Sequence, residues 1–179
     1  MTILNIETST TCCSAAITID GQSVVSVENL NNANHASELP RFIEQLLATA
    51  KHNDWHLDAV ALSQGPGSYT GLRIGASTAK GICYGLNIPL IPIDTLQVLC
   101  ASVPADKLPE NALLCPMLDA RRMEVYTALY QQAGKQLSPI SEVQAMIIDA
   151  DAFADTLAEQ PVYFFGNGAA KCEPVITTG

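Results

Sequence analysis

The chain has 179 residues, 48% hydrophobic and 15% charged, which is enough apolar material for a core and too little charge for a disordered tail. Nine Lys and Arg stand against 18 Asp and Glu, a net charge of −9; apart from Arg121-Arg122 the basic residues are scattered singly, which argues against unaided binding to a phosphate backbone. Met1–Ile6 carries no cluster of positive charge, and no apolar run approaches the roughly 18 residues of a membrane-spanning helix, so a soluble, cytoplasmic protein is expected.

In chain order, Thr2–Glu7 reads as a short apolar strand ending in a Thr/Ser-rich turn. Ser14–Asp20 and Gln22–Glu28 follow as two further strands. Asp20-Gly21 between them is a strong hairpin signal, because such a turn wants positive φ at its central positions. After an Asn-rich loop, 29–34, a helix is predicted over Ser37–Lys51, with Leu39, Phe42, Ile43, Leu46, Leu47 and Ala50 forming one apolar stripe. Pro40 falls in its first turn, where a missing N–H costs little. Asp58–Ser63 is a short strand, Gln64–Ser68 a glycine loop, and Tyr69–Leu86 a second helix with Ser68 as N-cap. Ile88–Ile93 is a buried strand, and Asp94 or Thr95 opens a third helix toward Ala101.

Residues 101–111 carry two prolines and read as a connector. Beyond them Ala112–Asp119 repeats the character of the first strand, again ending in a carboxylate and a polar turn. Glu124–Tyr130 and Lys135–Ile140 repeat the second and third strands, with Gly134 in the turn. A helix near Asp151–Gln160 and a strand Val162–Phe165 follow, closed by Gly166-Asn167-Gly168. A strand–strand–strand–helix unit thus occurs twice, offset by roughly 110 residues. Two mixed-sheet α/β lobes with helices on their faces are expected, residues 1–103 and 104–179. The second, stopping soon after its glycine turn, is read as truncated.

The six cysteines include no C-x-x-C pair and sit mostly in apolar stretches, the pattern of reduced thiols rather than of a disulfide framework. In Gly65-Pro66-Gly67-Ser68-Tyr69-Thr70-Gly71 a strand hands over to a helix N-terminus, where backbone N–H groups attract anions. No Lys-Ser or Lys-Thr follows Gly71, however, so this is no Walker loop, and a tight strand-to-helix turn is the plainer reading. Gly71, Gly75 and Ala79 continue with a spacing of four. Interior glycines cost up to about 1 kcal/mol each unless another backbone approaches closely. That approach comes either from the same domain or from a second protein. His52 and His56 form H-x-x-x-H, a zinc spacing on a helix; but Asn53-Asp54 favours a turn there, and two surface histidines are expected. Glu7 and Asp119, at matching strand ends, are the best candidates to face a nucleotide and its magnesium, although a lone carboxylate at a strand end is commonly a turn residue.

Several stretches resemble the TsaB (YeaZ) family, the partner subunit in bacterial threonylcarbamoyladenosine synthesis on tRNA. They are Ile6–Ser9, Gln64–Gly75 (QGPGSYTGLRIG), Ala79–Gly81, Pro92–Leu96, Asp119–Tyr126 (DARRMEVY) and Gly166–Ala169, in family order across nearly the whole chain. The resemblance implies an actin/Hsp70-like (ASKHA) fold and kinship with TsaD, the subunit that transfers the threonylcarbamoyl group to adenosine beside the anticodon. TsaD-like proteins carry H-x-x-x-H after the strand that follows the glycine-block helix. Ile93–Leu99 has no histidine there, so neither metal nor other cofactor is expected, and metal-assisted catalysis has no ligands to work with. A non-catalytic scaffold that binds and activates TsaD follows. The resemblance implies pairing through the two N-terminal helices, hence through Leu39, Phe42, Ile43, Leu46, Leu47, Gly71, Leu72, Gly75 and Ala79. TsaE is a further expected partner, a homodimer is expected when TsaD is missing, and tRNA is met only through the complex. Glu7, where related chains usually show Asp, is left with Asp119, Gly166 and Gly168 as the vestige of a nucleotide cleft. A small-molecule kinase of the same superfamily and a metallopeptidase-like protein are the alternatives.

Overall fold

The computed structural model describes residues 1–30, 34–104, 108, 111–133 and 136–176. Its contacts divide the chain into two units, Met1–Thr95 and Leu96–Gly179.

The first unit opens with β1 (Thr2–Glu7), β2 (Cys13–Ile19) and β3 (Gln22–Asn29), joined as an antiparallel meander. The hairpin at Asp20-Gly21 forms as its residues demand, with φ of 50° and 81°. Helix α1 (His35–His52) follows, then β4 (Ala59–Gly65), α2 (Tyr69–Leu86) and β5 (Leu90–Asp94). The sheet order is β3-β2-β1-β4-β5, with β4 parallel to both β1 and β5. On β2 the burial alternates, Cys13, Ala15 and Ile17 being buried. Ala59 to Ser63 on β4 are all buried, as expected of an interior parallel strand. A single cluster joins Leu4, Ile6 and Ile17 to Leu39, Ile43, Leu46 and Ala50 of α1 and Ala79 of α2, with Trp55 half-buried against it. Helix α1 carries Glu38 in its first turn and Lys51 and His52 in its last, each favourable to the helix dipole. The N-terminus of α2 is capped by Ser68, whose side chain accepts from the Gly71 N–H at 3.3 Å, and its C-terminus by Asn87 in the left-handed region.

The second unit contains α3 (Thr95–Ala101), whose Leu96 and Cys100 pack with Leu114, Leu118, Ala128 and Tyr130. This helix therefore joins the second core, and the boundary falls after Thr95 rather than after residue 103. Central strand β6 (Leu113–Asp119) is buried on both faces: Leu114 and Leu118 meet α3, whereas Cys115 and Met117 meet Val125, Ile148 and Cys172. Antiparallel to β6 run β7 (Glu124–Thr127) and β8 (Tyr130–Ala133) in succession. Strands β9 (Gln136–Pro139) and β10 (Gln144–Ile147) pair with β8 and β7 respectively. The expected second and third strands are thus each cut in two, and the third runs on to Ile147. The cut is at Ala128-Leu129, where Leu129 N donates to Ser141 Oγ at 2.8 Å and Leu129 O accepts from Ile140 N at 2.7 Å. On the other side of β6, β11 (Val162–Phe165) runs parallel to it. Short helices α4 (Ala154–Glu159) and α5 (Ala169–Cys172) complete the unit. Read across these cuts, the strand order is the same as β3-β2-β1-β4 of the first unit, so the duplication is real in topology. The turn placed at Gly134 lies outside the described residues, as do parts of the Asn-rich loop and of the 101–111 connector.

All six cysteines are free. Burial pushes the Cys13 thiol up to about 11 and Cys115 up to about 12. Alkylation of the native protein at pH 8 is therefore expected to label the half-buried Cys12 and Cys83 and to spare the buried Cys13, Cys100, Cys115 and Cys172 until denaturant is added; peptide mass mapping reads the order. Among the described residues no helix is long and apolar enough to cross a membrane.

Candidate functional site

Each unit places a carboxylate at the end of its central strand beside a glycine turn. In the first unit β1 ends at Glu7 and continues into the buried Thr8 and Ser9. One Glu7 carboxylate oxygen accepts from Ser9 N at 2.6 Å and the other from the Ser63 hydroxyl of β4. The carboxylate is a strand-end clasp, holding β1 to β4 and shaping the turn that follows.

The glycine block explains itself against that turn. Ser68 N donates to Ser9 O at 2.6 Å, which brings the loop onto the β1 end. A Cβ on Gly67 would strike the Ser9 carbonyl, and one on Gly71 the Thr8 carbonyl. At Gly75 a Cβ would meet the Thr8 hydroxyl and lie 3.0 Å from Leu62 Cδ1. The small face of α2 thus lets the helix sit hard against its own sheet, the in-domain reading of the glycine spacing. Gly81 and Gly85, by contrast, have open space where a side chain would go.

Most of the residues expected to face a partner lie inward. Leu39, Ile43, Leu46, Gly71, Gly75 and Ala79 are buried in the first unit's own core; Phe42 and Leu47 are half-buried and pack against it. Leu72 is half-buried, with Cδ1 near Gly65. An apolar stripe marks the inward face of a helix, and here the sheet already covers it. The face left outward on α2 carries Arg73, Ser77, Lys80, Gly81 and Tyr84, the last 92% exposed. On α1 it carries Arg41, Glu44, Gln45 and Ala48.

In the second unit β6 ends at Asp119. Its backbone N donates to Asn167 Oδ1 at 2.9 Å, and its Oδ1 accepts from Arg121 N at 3.0 Å and from the Lys171 ammonium. Lys171 also donates to Glu124 O at 2.7 Å. The Lys171 hydrogen bond holds the Asp119 carboxyl below the usual carboxylate range, with the Arg121 N–H adding to it. Gly166, at φ 103°, and Gly168 lie against this strand end. A Cβ on Gly166 would strike Met117 O, and one on Gly168 would lie 3.0 Å from Asp119 N. Asp119, Gly166 and Gly168 are therefore brought together, as the glycine block is around Glu7 in the other unit. Lys171 was not singled out in the sequence; the only signal was its place one turn beyond the Gly166-Asn167-Gly168 turn.

His52 is the last residue of α1 and His56 lies beyond the Asn53 cap, both exposed, so they share no helix face. Among the described residues no three His, Cys, Asp or Glu side chains are grouped to hold a metal.

Two solved structures share this architecture. One, described as an uncharacterized protein with similarity to the peptidase YeaZ, from Pseudomonas aeruginosa, superimposes with a TM-score of 0.80 at 24% identity, over 98% of this chain and 80% of that one. The other, YeaZ from Pseudomonas aeruginosa, does so with a TM-score of 0.72 at 22% identity, over 92% and 84%. The fold is thus the two-sheet α/β fold of YeaZ. The family model described as TsaD, tRNA N6-adenosine threonylcarbamoyltransferase, matches residues 27–175. The tRNA threonylcarbamoyladenosine biosynthesis protein TsaB of Bacillus subtilis is 31% identical over 178 residues, 98% of this chain and 75% of the relative. With the glycine turns and strand-end carboxylates in place, these matches show that the chain belongs to the TsaB (YeaZ) family. The TsaB protein of Haemophilus influenzae is 33% identical over 126 residues, 70% of this chain; the matched stretch spans 52% of that relative's length.

Proposed function

We propose that the chain serves the formation of threonylcarbamoyladenosine on tRNA as a non-catalytic subunit that binds and activates TsaD. The observation that carries this reading is the fate of the two carboxylates. Glu7 is occupied by Ser9 N and Ser63 Oγ, and Asp119 by Arg121 N and Lys171, so both act as clasps of the fold. The names of the relatives support the pathway. The shared strand order of the two units supports an actin/Hsp70-like (ASKHA) ancestry. On this reading TsaE joins the assembly in the cytoplasm, tRNA is engaged within it, and the chain pairs with a second copy when TsaD is missing.

The docking face in this proposal is the outward side of α1 and α2, centred on Tyr84 and Gly81, where an exposed aromatic stands beside an open gap. Tyr84→Asp with Gly81→Arg touches nothing in the core. It is expected to leave the fold intact while weakening capture of the same organism's TsaD at least tenfold and lowering threonylcarbamoyl transfer to tRNA in the reconstituted mixture. Transfer by TsaD that proceeds equally well without the chain would end the proposal.

A further inference from the structure

The loop between β6 and β7, Arg121 to Met123, holds two adjacent arginines in a conformation that arginine rarely adopts. Arg121 has φ 74° and Arg122 φ 47°; both lie in the left-handed region, which glycine and asparagine enter at less cost. The loop is pinned at its base by Ala120 N donating to Glu124 O at 3.1 Å and Glu124 N to Arg121 O at 3.0 Å. Asp119 Oδ1 takes the Arg121 N–H, and Lys171 reaches the same carboxylate from α5. That carboxylate is tied to the lysine and the backbone; the Arg121 guanidinium acts on it through its charge, with no ion pair between them among the described residues.

The chain has four arginines. Arg41 pairs with Glu38 at 3.7 Å, and Arg73 lies over the Tyr69 ring at 5.3 Å. Arg121 and Arg122, both exposed, make no ion pair or ring contact among the described residues. On a chain of net charge −9 this is a focal pair of exposed guanidiniums on a short tethered loop. An unfavourable backbone conformation that persists in a tightly tied loop points to what the loop presents.

We infer that the Arg121–Arg122 loop contacts the phosphate backbone of the RNA, an inference that rests on the proposed role in tRNA modification. Guanidinium pairs phosphate in a bidentate fork, and side chains this long on neighbouring residues, whose Cα atoms are about 3.8 Å apart, reach successive phosphates. Two such contacts add affinity without base specificity, and they are too few to bind RNA to an acidic chain without the other subunits. The loop positions tRNA that the assembly holds.

The test replaces Arg121→Asn and Arg122→Gly together, two residues at home at positive φ, so that the loop keeps its shape while losing its charge. The assembly with TsaD and TsaE is titrated with labelled unmodified tRNA at several salt concentrations. The expected result is a variant that melts no lower than the parent and joins TsaD equally well. Its tRNA affinity should fall about tenfold or more at about 50 mM salt, with a log–log salt slope shallower by about 1.5. Unchanged tRNA affinity in a variant that still joins TsaD overturns the inference and leaves the proposed function standing. Loss of TsaD or TsaE capture with tRNA affinity intact assigns the arginines to an acidic protein surface and overturns it too. A parent chain that never joins TsaD removes both.

Discussion

Gly71→Ala is expected to destabilise the first unit by about 3 kcal/mol or more, the upper range for forcing extra volume into a packed interior. The methyl group has nowhere to go. It would lie well inside contact distance of the Thr8 carbonyl oxygen, a backbone atom, with the Thr8 carbonyl carbon and Ser68 Cβ close behind. Relief requires α2 to lift from the end of β1, which also opens the contact of Gly75 with Thr8 and Leu62. The matched control is Gly81→Ala in the same helix, where nothing lies within 4 Å of the added atom. That change is expected to stabilise by up to about 1 kcal/mol through helix propensity alone. Urea unfolding of the pair decides the matter: similar midpoints would mean that α2 does not press against β1 as described.

The second large effect is at Leu46. Its side chain is fully buried between α1 and the sheet, so Leu46→Ala is expected to cost about 2–5 kcal/mol, the transfer term plus the cavity left behind. Gln45→Ala beside it, on the outward face, should stay within about 0.5 kcal/mol of the parent. The pair also separates folding from docking. A Leu46 variant that loses a partner by losing its fold says nothing of the interface, whereas a Tyr84 variant that stays folded does. Full stability in Leu46→Ala would show that the stripe is not the core.

How far the sequence carries is clearest in these helices. The start of α2 is written in it by Ser68, and β1 and the Asp20-Gly21 hairpin are equally plain, because caps and turns are local chemistry. The stripe of α1 was legible as well, but periodicity identifies an apolar face without naming what covers it. A stripe on its own sheet and a stripe on a partner look alike until the sheet is placed. The duplicated strand order was readable from matching carboxylates and glycine turns. The cut at Ala128-Leu129 was not, since it depends on Ser141 arriving from the neighbouring strand. The same holds for Lys171, whose pairing with Asp119 spans 52 residues, and for α3, whose allegiance is decided by contacts with Leu114 and Tyr130.

The unequal helices also determine what a spectrometer sees. α1 and α2 have 18 residues each, against 7, 6 and 4 in α3, α4 and α5, and the single tryptophan, Trp55, packs in the first unit. Far-ultraviolet ellipticity therefore weights the N-terminal half and indole emission reports on it alone, so its C-terminal counterpart can loosen with no change in emission and a smaller one in ellipticity. Following that half calls for a label of its own, such as a fluorinated tyrosine at Tyr130.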